Sequence, residues 1–216
     1  MKRRSKLQAD YTKAVLTSIE VLKKYKINKT PIDVHYIIEQ IPNLALCKYS
    51  WITEQYRCTL TELIEFFQSD LGAIARKPEK NQYVIYYNDT LCNSRLDRFT
   101  IAHELGHFFL GHFDLITENI LNRGGFSAEQ YKAIENEANC FARNLLTPIP
   151  LYNRLDLDSS TLYRDIMDIF NISYEASIAR VDFVEYDSYR ITDEHIRFFS
   201  SFEMCYYWEE KERRIG

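Results

Sequence analysis

The sequence predicts an α+β fold: a small β-sheet packed on helices, followed by a helix pair. Three observations carry this. Apolar residues recur at steps of three and four through residues 94–109 and again through 135–146, the spacing of one helical face. Gly72–Arg76 and Gln82–Tyr87 are short strand-like runs on either side of the polar turn Lys77-Pro78-Glu79-Lys80-Asn81. Two shorter helical segments, about 159–170 and 173–184, are joined by Asn171-Ile172. Strands that lead into a long helix and are then covered by others make a sheet-on-helix core.

Taken in order, residues 7–25 read as an amphipathic helix with Ala14, Val15, Ile19 and Leu22 on one face. Ile27–Thr30 is a break, and Pro31 is placed to start a second helix to about Ile41. Leu44–Trp51 suits a strand. Thr59–Gln68 suits a short helix capped by Thr59 or Thr61. After the two strands, Asn93 or Ser94 can cap a helix whose stripe is Leu96, Phe99, Ala102, Gly106 and Phe109. Gly106 inside it costs about 1 kcal/mol against alanine, and close packing is the expected reason for its presence. Asn122 and Gly124-Gly125 mark a loop. Ser127 with Gln130 forms a capping box for the next helix, which Pro148 ends. Its apolar stripe is Ala138, Phe141, Ala142 and Leu145. Beyond Tyr186 lies a tail rich in aromatics (Phe198, Phe199, Phe202, Tyr206, Tyr207, Trp208) with a charge run over 209–214, read as a core-closing patch and a solvated helix end.

The chemistry sits in His103-Glu104-Leu105-Gly106-His107. Positions i and i+4 of a helix stand about 6 Å apart along its axis, so two imidazoles there can converge on one Zn²⁺ at about 2.1 Å each. Glu104, on the adjoining face, is placed to take a proton from a water that the metal polarises. Two ligands do not hold a catalytic zinc, and a third is required. His112 fails on register: the long signature puts its third histidine ten positions after the first, where this chain has Phe113. His112 is read instead as capping or packing the helix end. Glu135, three residues before Ala138 on the edge of the buried stripe, is the candidate third ligand, and Glu137 is the alternative. His35 has no partner at ligand spacing and reads as structural, and His195 has no motif around it.

These motifs resemble those of the ImmA/IrrE metallo-endopeptidases. The resemblance rests on Arg98-Phe99-Thr100-Ile101-Ala102-His103-Glu104-Leu105-Gly106-His107, on Leu110-Gly111-His112, and on the Glu135–Pro148 segment. It covers roughly residues 10–185, with Thr147 departing from the usual methionine. It implies a zincin-like metallopeptidase domain, here 1–150, with a C-terminal helical region, 151–216. By motif position it implies Zn²⁺ held by His103, His107 and Glu135, with Glu104 as general base. It also implies a cytoplasmic protease of the prophage or mobile-element type, an anti-repressor whose protein substrate is a helix-turn-helix repressor. In zincins a substrate can lie extended along a sheet edge, and Gln82–Tyr87 is the candidate edge here, a plain core strand being the other reading.

Composition sets the remaining expectations. The net charge of −4 does not favour broad binding to nucleic acid. The 159–184 helix pair has the size of a helix-turn-helix, but its second helix offers only Arg180 as a base reader, beside Glu175 and Asp182. Five cysteines (47, 58, 92, 140, 205), scattered and without a Cys-x-x-Cys, suit reduced thiols, with Cys140 buried. The basic start, Met1–Lys6, leads into no apolar segment, and no run reaches the roughly 18 residues of a membrane span, so a soluble intracellular protein is expected. The rival class is a regulatory protein of the same fold acting by protein–protein contact alone. A retained Glu104 speaks against it.

Overall fold

The structure, a computed structural model, describes residues 8–121, 126–155 and 162–204. Asn122, Gly124-Gly125, the Ser159 helix start, Cys205, Tyr206, Tyr207, Trp208 and the 209–214 charge run lie outside these residues. Helix α1 spans Tyr11–Lys24; the side chain of Asp10 accepts from the Lys13 N–H and caps it. Ala14, Val15, Ile19 and Leu22 are all buried, as their spacing requires. Helix α2 runs only from Val34 to Glu39. It begins later than the expected Pro31 because Asp33 is the cap, its carboxylate accepting from the Tyr36 N–H.

Strand β1 is Leu44–Lys48, and the chain then turns into helix α3, Tyr49–Tyr56, where an extended run to Trp51 was expected. The reason is partly local, since Tyr49 and Ile52 are buried at helical spacing while Trp51 is exposed. It is also distant: Asp89 accepts from both the backbone N–H and the hydroxyl of Ser50, satisfying the first turn of α3. Helix α4, Leu60–Phe67, has its capping box from Thr59 and Glu62. Strands β2 (Gly72–Lys77) and β3 (Gln82–Tyr87) follow, then helix α5 (Ser94–Leu110) and helix α6 (Ala128–Leu146). The short helices α7 (Ile149–Tyr152), α8 (Leu162–Phe170), α9 (Tyr174–Asp182), α10 (Val184–Ser188) and α11 (Asp193–Ser200) complete the described chain.

The sheet order is β1-β3-β2, parallel between β1 and β3 and antiparallel between β2 and β3. Gln82–Tyr87 is therefore the central strand and presents no free edge, which corrects its reading as a substrate-pairing edge. The outer edge of β2 is itself engaged from Ile74 onward: Leu121 N–H donates to the Ile74 carbonyl, and Arg76 N–H donates to the Asn119 carbonyl. Alternation along the strands splits the core. Ile74 and Ile85 face the main cluster with the helices, whereas Ala73 packs with Tyr49, Ile52, Leu63 and Phe67 under α3 and α4.

Helix α5 lies at the centre, against α6 on one side and β2 and β3 on the other, with α1 and α2 also touching it. Its burial is not a single stripe. Ile101, Ala102, Leu105 and Gly106 are buried, while Leu96, Phe99 and Phe109 of the expected stripe are only half-buried. A helix wedged between a sheet and another helix is covered on two faces, which erases the one-sided pattern. Gly106 does serve close packing: a Cβ there would sit 3.1 Å from the Ala138 Cα, 3.2 Å from its carbonyl oxygen and 3.1 Å from Phe141 Cδ1. Two of those atoms are backbone, so α5 and α6 would have to move apart. Gly106→Ala gains about 1 kcal/mol of helix propensity, but overpacking costs about 1–3 kcal/mol. The variant is expected to be less stable in urea and, because His107 and Glu135 ride on these two helices, to bind metal more weakly. A more stable variant with unchanged metal affinity would contradict this packing account.

Arg180 does not face solvent and is no base reader. It is wholly buried, donating to Asp187 at 2.7 Å, to Asn144 Oδ1 at 3.2 Å and to the Thr147 carbonyl at 3.1 Å. Cys140 is buried, as expected. Residues from α7 to Met204, including Leu151, Phe170 and Phe199, join the same buried cluster as α1, α5 and α6. No helix among the described residues is long and apolar enough to cross a membrane.

Candidate metal centre

The helical rise brings His103 and His107 together on one side of α5, their Nε2 atoms 3.0 Å apart. Asn93 starts this helix by accepting from the Leu96 N–H, and Gly111, in the left-handed region at φ +75°, ends it. From α6, Glu135 reaches across with Oε2 3.4 Å from His103 Nε2 and Oε1 3.4 Å from His107 Nε2. Among the described residues these three form the cluster whose donor atoms all lie within 4.8 Å of one another. Ligand atoms about 2.1 Å from a tetrahedral ion stand about 3.4 Å from each other; the two carboxylate contacts, made by different Glu135 oxygens, have that separation, and the two Nε2 atoms stand closer. Two imidazoles and a carboxylate are also the donor set that suits a first-row divalent ion.

Protonation agrees with that reading. Burial drives the His107 imidazole down to about 3, so it is neutral. Burial pushes the Glu135 carboxyl upward, yet its contacts with His103 and His107 outweigh this and hold it well below the usual carboxylate range. His103 Nδ1 stands 2.9 Å from Asn139 Oδ1. Burial lowers His103, but its contacts with Glu135, Glu104 and Asn139 win and raise it. Since an amide oxygen accepts only, Nδ1 carries a proton, and in the neutral ring Nε2 has the lone pair.

Glu104, the neighbour of His103, is buried and lines the same cleft of about 250 Å³ as His103, His107 and Glu135. Gly72, Ala73, Phe99 and Tyr131 form other parts of its wall. Burial lifts the Glu104 carboxyl to about 7, against the pull of His103 and a backbone hydrogen bond from Ile74. A carboxylate balanced near neutrality in a cleft can both take and return a proton.

Glu137 is not in the three-donor cluster. Its Oε2 is 3.0 Å from His112 Nε2, and its Oε1 accepts from the Asp10 N–H at 2.7 Å. His112 packs at the end of α5, as expected, but its Nδ1 also stands 2.8 Å from His107 Nδ1, a contact that sequence spacing does not announce. Asn139 was likewise missed, although its place four residues after Glu135 puts it on the same helical face. His35 is exposed on α2, and His195 completes the cap of α11, its Nδ1 accepting from the Thr192 N–H.

A family model described as IrrE N-terminal-like domain, Peptidase_M78, matches residues 60–182, more than half of the chain. The chain belongs to the Peptidase_M78 family. No curated protein matches it. The Peptidase_M78 match runs from the start of α4 to the end of α9 and so encloses the sheet strands β2 and β3, the α5–α6 pair and the whole His-His-Glu cluster. Membership of a metallopeptidase family implies a metal ion, and this cluster is where the described residues could hold one.

Proposed function

We propose that this Peptidase_M78 protein is a zinc-dependent endopeptidase, with His103, His107 and Glu135 as the metal ligands and Glu104 as general base. The observation that carries the reading is the convergence of two imidazoles and a carboxylate, their donor atoms within 4.8 Å of one another, with the buried Glu104 carboxyl in the same cleft. Zn²⁺, when bound, supplies Lewis acidity for the attacking water and the scissile carbonyl. Glu104 takes the proton of that water and hands it to the departing amine, so one carboxyl serves as base and then as acid. Asn139 orients His103 through its Nδ1 proton.

The substrate we propose is a specific cytoplasmic protein, a helix-turn-helix transcriptional repressor, on the strength of the resemblance to ImmA/IrrE proteases. The test is incubation of the zinc-loaded chain with a candidate helix-turn-helix repressor, with the Glu104→Gln variant in parallel. Cleavage by the parent protein alone supports the proposal. Stable binding by both without cleavage would favour a protein that acts by contact.

A further inference from the structure

We propose that His112 and Glu137 are positioning residues for the metal centre, and that they fix the tautomer and ring plane of His107 through a relay anchored on the first turn of α1. The inference rests on the metal-centre reading above. His107 Nδ1 and His112 Nδ1 are 2.8 Å apart, so one donates and the other accepts a single proton. On its far side His112 Nε2 lies 3.0 Å from Glu137 Oε2, and an ionised carboxylate only accepts, so this nitrogen is the donor. In the proposed relay the lone pair of His112 is on Nδ1, the nitrogen that faces His107. The shared proton therefore belongs to His107 Nδ1, and His107 Nε2 is left with the lone pair that faces His103 and Glu135.

The acceptor at the end of the relay is itself held. Glu137 Oε1 accepts from the Asp10 N–H at 2.7 Å, Asp10 caps α1, and Lys13 Nζ in the same turn donates to the carbonyl of Leu110, the last residue of α5, at 2.6 Å. One turn of α1 thus ties the end of the histidine helix to the carboxylate that orients its second histidine. His103 is managed differently, by the neutral amide of Asn139. His107, His112 and Glu137 are all buried, so a broken relay is not repaired by bulk water. Partners of this kind set ligand orientation and basicity.

The experiment compares full-length parent protein with His112→Phe, His112→Asn and Glu137→Gln. Zinc affinity is measured by chelator competition, and the ¹⁵N shifts of His107 are measured in the metal-free proteins. His112→Phe keeps the ring volume without its nitrogens and is expected to lose about 10–100-fold in zinc affinity, together with the Nδ1–H signature of His107. His112→Asn offers an acceptor oxygen near the position of Nδ1 and should restore most of the affinity and that signature. Glu137→Gln can still accept from His112 but not also from Asp10, and should fall between; it keeps the proposal testable if His112→Phe fails to fold. Parent-like zinc affinity and His107 shifts in both His112→Phe and Glu137→Gln would overturn the proposal, as would a parent protein whose His107 carries its proton on Nε2. The shifts need no zinc, so a parent protein with Nδ1–H on His107 that binds no metal counts against the metal reading and for the relay.

Discussion

The Glu104→Gln variant is expected to bind zinc as tightly as the parent protein and to cleave the protein substrate about 10²- to 10⁴-fold more slowly. Glu104 is not one of the three converging donors, so the change leaves the ligand set intact. The amide has nearly the volume of the carboxyl and still offers an oxygen toward the Ile74 backbone, so the buried site has no reason to rearrange. What it lacks is a basic oxygen. Single-turnover cleavage and metal content, measured on the same preparations, separate the two effects. Equal cleavage rates for parent and variant would remove Glu104 from the mechanism.

Asp187→Ala is expected to be the most damaging single change outside the metal centre, at about 3–5 kcal/mol of folding stability. Asp187 and Arg180 are both wholly buried, and the Asp187 carboxylate accepts from Arg180 at 2.7 Å, Asn144 at 2.9 Å and Arg143 Nε at 3.0 Å. The arrangement joins α9 and α10 to the back of α6, the helix that carries Glu135. Removing the carboxylate strands a guanidinium in the interior. Burial already lowers Arg180 to about 10, but that leaves it charged at neutral pH. Replacing both partners by apolar residues of similar size, as in Arg180→Met with Asp187→Leu, should cost much less than the single change. Urea denaturation of the single and double variants checks this, and a double variant as unstable as Asp187→Ala would contradict it. Burial pushes the Asp187 carboxyl up, but its contacts with Arg143, Arg180 and Asn144 win and its folded pKa is depressed. Its contribution is therefore present above the ordinary aspartate range and is lost as pH falls through the folded pKa, so the parent protein should lose stability in acid and the double variant should lose less.

The helices at 94–110 and 128–146 and the strand pair around residues 77–81 were legible because each is specified locally, by a cap, an apolar period or a polar turn. Glu135 was legible as a candidate because the stripe of α6 fixes which way it faces. What was not legible depended on partners far along the chain. Tyr49–Trp51 reads as a strand continuation until Asp89 is seen on the Ser50 N–H. Gln82–Tyr87 looks like an edge because no local feature tells that Leu44–Lys48 will pair with it from the other side. Arg180 looks like a surface cation until Asp187 is brought beneath it. The contacts of His112 with His107 and Glu137 were hidden for the same reason. Glu137, two residues after Glu135, points away from the cluster and reaches it only through His112 and His107.

The most direct test of the central claim is the metal content of the purified full chain, measured by mass spectrometry beside His103→Ala, Glu135→Ala and Glu137→Ala. One zinc per chain in the parent, lost in His103→Ala and Glu135→Ala and retained, though more weakly held, in Glu137→Ala, is the predicted result. Zinc kept by Glu135→Ala and lost from Glu137→Ala would move the third ligand and contradict the site. No zinc in the parent, even after it is supplied, would contradict the enzyme.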